Sequence, residues 1–259
     1  MGFTSAEITS LVGIYLWPLF RIGALVSAAP LLGSRSVPVR IRLGLALVLT
    51  LVIAPVLPPP PALDPFSAAG LQVTIAQVLI GLAMGFALQL VFAAFVLAGE
   101  LISMGMGLGF AAMNDPVSGV SVPTIGQFYT IVVTLLFLAL NGHLMLIEVL
   151  ADSFHTLPVG THGLAVQGVW ELVLWGGRMF VWALLIALPA MGALLLVNLG
   201  FGIMTRAAPQ LNIFAVGFMA IILLGLLIMY VTLPSLLPQL MSMMDEIFGL
   251  LRHLMTLRA

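Results

Sequence analysis

The chain has 259 residues, 62% hydrophobic and 7% charged, with a formal net charge of −1 and a mean hydropathy of +1.26. A soluble domain is about 25% charged, so the composition excludes a soluble enzyme or carrier and predicts an all-α integral membrane protein with no polar stretch long enough to fold alone. The charge argues against a nucleic-acid partner, which needs a basic face, and the lack of cysteine excludes disulfides and thiolate chemistry.

The first residues are not expected to form a signal peptide. They lack a basic region, carry Glu7 and run into an apolar stretch holding Arg21. Six apolar stretches are read as membrane helices, which need about 20 residues each. The first covers about Leu11 to Leu32, with Arg21 at its middle and Pro18 and Pro30 interrupting it. The second, about Leu43 to Leu57, is short and ends in the stiff tract Pro58 to Pro61. The third begins near Leu71 and reaches Gly99 without a charge. Its pair Gly81 and Gly85 is spaced for close approach of another helix. Apolar character persists to Met113, too long for one span, so this element either bends at Gly99 and re-enters or lies outside an ordinary bilayer. The fourth runs from about Ile125 to Leu150. The fifth covers about Leu172 to Leu199, with Arg178 and Pro189. The sixth, about Leu211 to Leu237, is expected to break at Pro234 and Pro238 before an amphipathic tail, Met241 to Leu257.

Arg35, Arg40 and Arg42 form the densest positive cluster and are expected on the cytoplasmic side. Counting outward puts the N-terminus and the connection bearing Asp152 and Glu171 outside and the Arg206 turn inside. The C-terminal segment comes out on the outer side although it carries Arg252 and Arg258, so the positive-inside rule is only partly met.

The stretch Gly99 to Pro123 organises the rest. Glu100 is followed by Met104, Gly105, Met106, Gly107, Gly109, Phe110, Met113, Asn114, Asp115 and Pro116. Irregular backbone at membrane depth is tolerated where protein buries it or where it lines a water-filled cavity. Glycine relaxes the backbone and methionine repacks without a fixed shape, a composition suited to a seal that closes and later yields. The plainer reading is close helix packing through Gly105 and Gly109 with methionines as core. Arg21 and Glu100 are the charges most clearly set in apolar surroundings. They read as buried groups paired with each other or with a partner subunit, or as helix-end residues that snorkel to water. Around Pro209, the residues Arg206, Gln210 and Asn212 make a polar turn between two apolar helices, either a plain hairpin turn or a tip that meets neighbouring subunits. Asn141, His143, Glu148, Asp152 and His155 fit no metal or nucleophile pattern and read as a wetted helix end. No catalytic, cofactor-binding or metal-ligating residue is assigned.

Read together, these segments resemble the FliR family of flagellar type III export-gate proteins. The likeness is carried by Tyr15 to Arg21, Ala29 to Leu31, Arg35 to Arg40, Gln77 to Gly85, Gly99-Glu100, Met104 to Pro116, Asn141 to His143, Ser153 to Pro158, Arg206 to Phe214 and Val216 to Phe218. Met219 departs from the pattern, which has proline there. The resemblance implies a non-enzymatic subunit that needs no cofactor. One copy would join several copies of the smaller hydrophobic proteins FliP and FliQ in a closed helical assembly of the inner membrane, raised toward the periplasm. FlhB would wrap its cytoplasmic mouth, FlhA would lie below, and unfolded flagellar proteins would be the cargo. Residues 1–170 would be FliP-like, with a plug loop at about 106–122, and residues 171–259 a FliQ-like hairpin and tail. Two rivals stand beside this: a stand-alone secondary transporter with a broken-helix site around Glu100, and a membrane enzyme using His143 or His155. No repeat of the two halves supports the former, and no nucleophile or ligand set supports the latter.

Overall fold

The computed structural model describes residues 5–34, 36–61, 63–108, 124–161, 163–207 and 213–257. Among them are seven α-helices and no strand: α1 (Ser5–Ala28), α2 (Val39–Ile53, continued by a 3₁₀ turn Ala54–Val56), α3 (Ala68–Gly105), α4 (Thr124–Ala139), α5 (Gly142–Thr156), α6 (Val166–Ala207) and α7 (Ile213–Thr256). All six apolar stretches are helical; the fourth is divided into α4 and α5. The divide falls at Asn141, whose φ of 56° is left-handed, a conformation that asparagine adopts more readily than most residues.

Four helices are long and apolar enough to cross a membrane, or five if α4 and α5 form one broken span. The expected bend at Gly99 is absent, since α3 runs through it for 38 residues. Nor do Pro234 and Pro238 break the last stretch. α7 continues through both for 44 residues and absorbs the expected separate tail. Hydroxyls in the same turns bond nearby carbonyls: Thr232 Oγ1 donates to Ile228 O at 2.9 Å and Ser235 Oγ to Thr232 O at 2.7 Å.

At about 1.5 Å per residue, α3, α6 and α7 with 38, 42 and 44 residues are roughly 57 to 66 Å long, about twice a hydrocarbon core of about 30 Å. By contrast, α2 with its 3₁₀ extension, Val39–Val56 at 18 residues, is close to the length of a single crossing.

The chain packs as two compact units. The first comprises Met1–Val91, Leu140–Gly176 and Met243–Ala259, the second Phe92–Ala139 and Gly177–Ser242. Both draw on residues from either side of position 170. In the first unit α1 packs on α2 and crosses α3 closely. A Cβ on Gly81 would lie within 2.2 Å of Arg21 O, and one on Gly85 within 2.5 Å of Ala28 Cβ. This small-residue pair lets the two backbones meet. In the second unit α3 and α4 meet in the same way, because a Cβ on Gly99 would lie 2.7 Å from Gly126 Cα. Gly99 is thus a crossing point rather than a bend. Phe92 and Phe137 stack edge to face 5.5 Å apart in the same interface.

Candidate functional site

Two constructions stand out, one in each unit. In the first, Arg21 is fully buried. Nε donates to Gln77 Oε1 at 2.8 Å, Nη1 to Ser153 O at 2.9 Å and to Ser153 Oγ at 3.0 Å, and Nη2 to Leu157 O at 2.9 Å. The guanidinium carbon lies 4.1 Å from the Phe154 ring centroid. No carboxylate takes part. The cation sits on the C-terminal end of α5, where Leu157 is the capping residue and the last carbonyls of a helix lack intrahelical donors and carry its negative dipole end. Gln77 turns its carbonyl to the cation, and its Nε2 has no acceptor among the described residues. Arg21 thereby ties α1, α3 and α5 together. It is not paired with Glu100: all its observed acceptors come from Gln77, Ser153 and Leu157. The resemblance motifs converge here, for Arg21, Gln77 and Ser153 to Leu157 all belong to them.

In the second unit the end of α3 is shaped by three bonds. Met106 N donates to Ile102 O at 2.9 Å, Gly107 N to Met104 O at 3.0 Å and Leu108 N to Ser103 O at 3.0 Å. With Gly107 at φ 76°, this is a Schellman termination, in which the left-handed residue favours glycine. Met106 is fully buried and its side chain fills the space a Cβ on Gly225 of α7 would need, with atoms 2.6 Å from it. Gly105 faces Leu194 of α6, 3.2 Å from where its Cβ would be, and its carbonyl accepts Asn198 Nδ2 at 3.3 Å. Met104 is 67% exposed. The start of the expected plug is therefore a clamped helix end: Met106 is packed core and Gly107 a cap, while Met104 alone of these four stands free. Gly109, Phe110, Met113, Asn114, Asp115 and Pro116 lie outside the described residues. Glu100, on the same helix, is half-buried.

At the α6–α7 connection Arg206 is exposed in the last turn of α6, where a cation complements the helix dipole. Pro209, Gln210 and Asn212 lie outside the described residues. The polar group on α5 assembles nothing. Glu148, Asp152 and His155 are exposed, His143 Nδ1 has no partner among the described residues, and no metal-binding cluster occurs among them.

The family model for bacterial export proteins, family 1, matches residues 12–247, and relatives match over nearly the full length. The flagellar biosynthetic protein FliR of Escherichia coli (strain K12) is 42% identical over 253 residues, covering 98% of this chain and 97% of that one. This chain belongs to the FliR family. The FliR of Pectobacterium carotovorum subsp. carotovorum is 39% identical, covering 99% and 98%, and that of Bacillus subtilis (strain 168) 31% identical, covering 82% of each. Sequence reasoning had Arg21 and Gln77 in hand but did not join them, because residues 56 positions apart show no periodic relation.

Proposed function

We propose that this chain is a subunit of the flagellar protein-export gate and helps to form and seal a conduit for unfolded flagellar proteins. One observation carries the reading: a chain of the FliR family has three helices about twice as long as a hydrocarbon core is thick, and two of them, α6 and α7, leave much of their apolar surface uncovered. Of the apolar 18-residue stretches of α6 and α7, only 33% and 17% are buried. Apolar surface beyond the hydrocarbon layer needs protein cover, which a closed assembly supplies. The partners inferred from the resemblance are several copies of FliP and FliQ, with FlhB at the cytoplasmic mouth and FlhA below. The assembly sits in the inner membrane, raised toward the periplasm. The loop at about 106–122, which begins at the clamped end of α3, acts as the plug; the Arg206 turn, with Pro209, Gln210 and Asn212, meets neighbouring subunits. The chain acts by shape and packing and catalyses no reaction.

Native mass spectrometry of the tagged chain, extracted gently from its own cells, tests this. One copy bound to multiple copies of two smaller hydrophobic proteins is the expected result. A lone chain or homodimer that persists across detergents overturns it and moves the reading to a transporter built around Glu100.

A further inference from the structure

We propose that Glu100 is the docking acceptor for a cationic side chain, arginine or lysine, carried on an apolar helix of an adjoining subunit. The inference rests on the hetero-oligomeric reading above and adds to it a specific contact.

The helical positions fix the surface. Along the end of α3, Gly99 meets α4 and Gly105 meets α6, and Ala94, Phe95, Ala98 and Ile102 are buried. The remaining face runs through Ala93, Leu97, Glu100 and Met104, spaced by four, three and four residues as one stripe of a helix requires. Ala93, Leu97 and Glu100 are half-buried and Met104 exposed. Glu100 has no hydrogen bond or ion pair among the described residues. Within the chain, Arg21 is committed to Gln77, Ser153 and Leu157, and Arg42 donates to the Val37 and Ser34 carbonyls.

Three occupants compete for this face. Lipid is the poorest, since a bare carboxylate against hydrocarbon is unfavourable and intramembrane charges turn to a partner or a water-filled space. An open water column is the second, but the residues beside Glu100 on the stripe are alanine, leucine and methionine, which gain nothing from water. A single carboxylate framed by apolar side chains fits a third: an apolar helix with one cation, where the surrounding contacts exclude water from the central pair. Ala93 leaves room for that helix to approach.

The test uses the whole assembly purified from flagellated cells of the source organism. Glu100→Gln keeps the side-chain shape and removes the charge. It should reduce co-purified small hydrophobic subunits by roughly tenfold or more, since truncating one member of a desolvated pair leaves the other charge unpaired, and motility should fall with it. Motile revertants of Glu100→Arg should carry a substitution that removes or reverses a cation in a partner subunit. Wild-type recovery of subunits with Glu100→Gln overturns the proposal, and so do Glu100→Arg revertants that leave every partner cation in place. An intact Glu100→Gln assembly with altered ion conductance would assign the residue to the conduit wall instead. A wild-type chain recovered alone overturns the assembly reading itself, so the two failures are distinguishable.

Discussion

Replacing Arg21 by methionine should destabilise the first unit by about 2–5 kcal/mol, chiefly because it leaves buried neutral acceptors without a donor. The structure supports that figure. The substitution leaves Gln77 Oε1 and Leu157 O without their donor; Ser153 O still receives Leu157 N at 3.0 Å. Two orphaned acceptors cost about 1–3 kcal/mol each, and loss of the contact with Phe154 adds roughly 0.5–2 kcal/mol. Release of the guanidinium from its buried site offsets part of the sum. Arg21→Lys should be intermediate, because one ammonium cannot span the spread of acceptors that the guanidinium fork reaches. The assay is thermal unfolding of the detergent-solubilised assembly, followed by the emission of buried tryptophans such as Trp17. A fall on the order of 10 °C is expected for Arg21→Met. Pairing it with Gln77→Leu removes one orphan, so the double variant should be less damaged than the sum of the singles. An unchanged midpoint for Arg21→Met, or strict additivity in the double variant, would refute the network as described.

Gly81→Val should cost about 1–3 kcal/mol or more, since the new Cβ meets a backbone carbonyl 2.2 Å away that cannot swing aside; thermal unfolding of the same preparation checks it, and an unchanged midpoint counts against the close crossing. Gly107→Val should cost roughly 1–2 kcal/mol for its φ of 76°, while Gly107→Asn should be milder; limited proteolysis after α3 reads the fraying, and equal protection of both variants argues against the cap. Deleting residues 110–118 leaves the Gly107 termination intact and should preserve assembly while making the membrane leaky to small ions. Normal conductance in such a strain would sink the plug assignment.

Periodicity and length made the six apolar segments legible, and the Gly81–Gly85 spacing foretold the α1–α3 crossing. Helix ends were harder. Pro234 and Pro238 read as stops, yet α7 passes through both, because packing around buried residues such as Leu236 and Leu240 overrides the local cost of proline. A bend at Gly99 was one of two ways to fit an apolar run too long for one span, whereas its absent side chain lets α3 meet Gly126 closely. Gly107 read as one flexible glycine in a cluster; its cap depends on bonds from Gly107 N and Leu108 N to the Met104 and Ser103 carbonyls that sequence does not display. For Arg21 an ionic partner was the natural expectation, but its counter-charge is the end of α5, a dipole spread over backbone that no residue letter records.

The mismatch between the long helices and a bilayer bears on the life of the chain before it finds its place. Leu196, Ile203 and Tyr230 are each at least 70% exposed, and wherever such positions extend past the lipid an orphan copy would offer adhesive surface to water. Its lifetime should then follow the supply of neighbours: synthesis in excess would end in clumping or proteolysis rather than in a reserve of ready subunits. Quality control of this kind needs no dedicated signal, since incompleteness is written on the outside of the molecule.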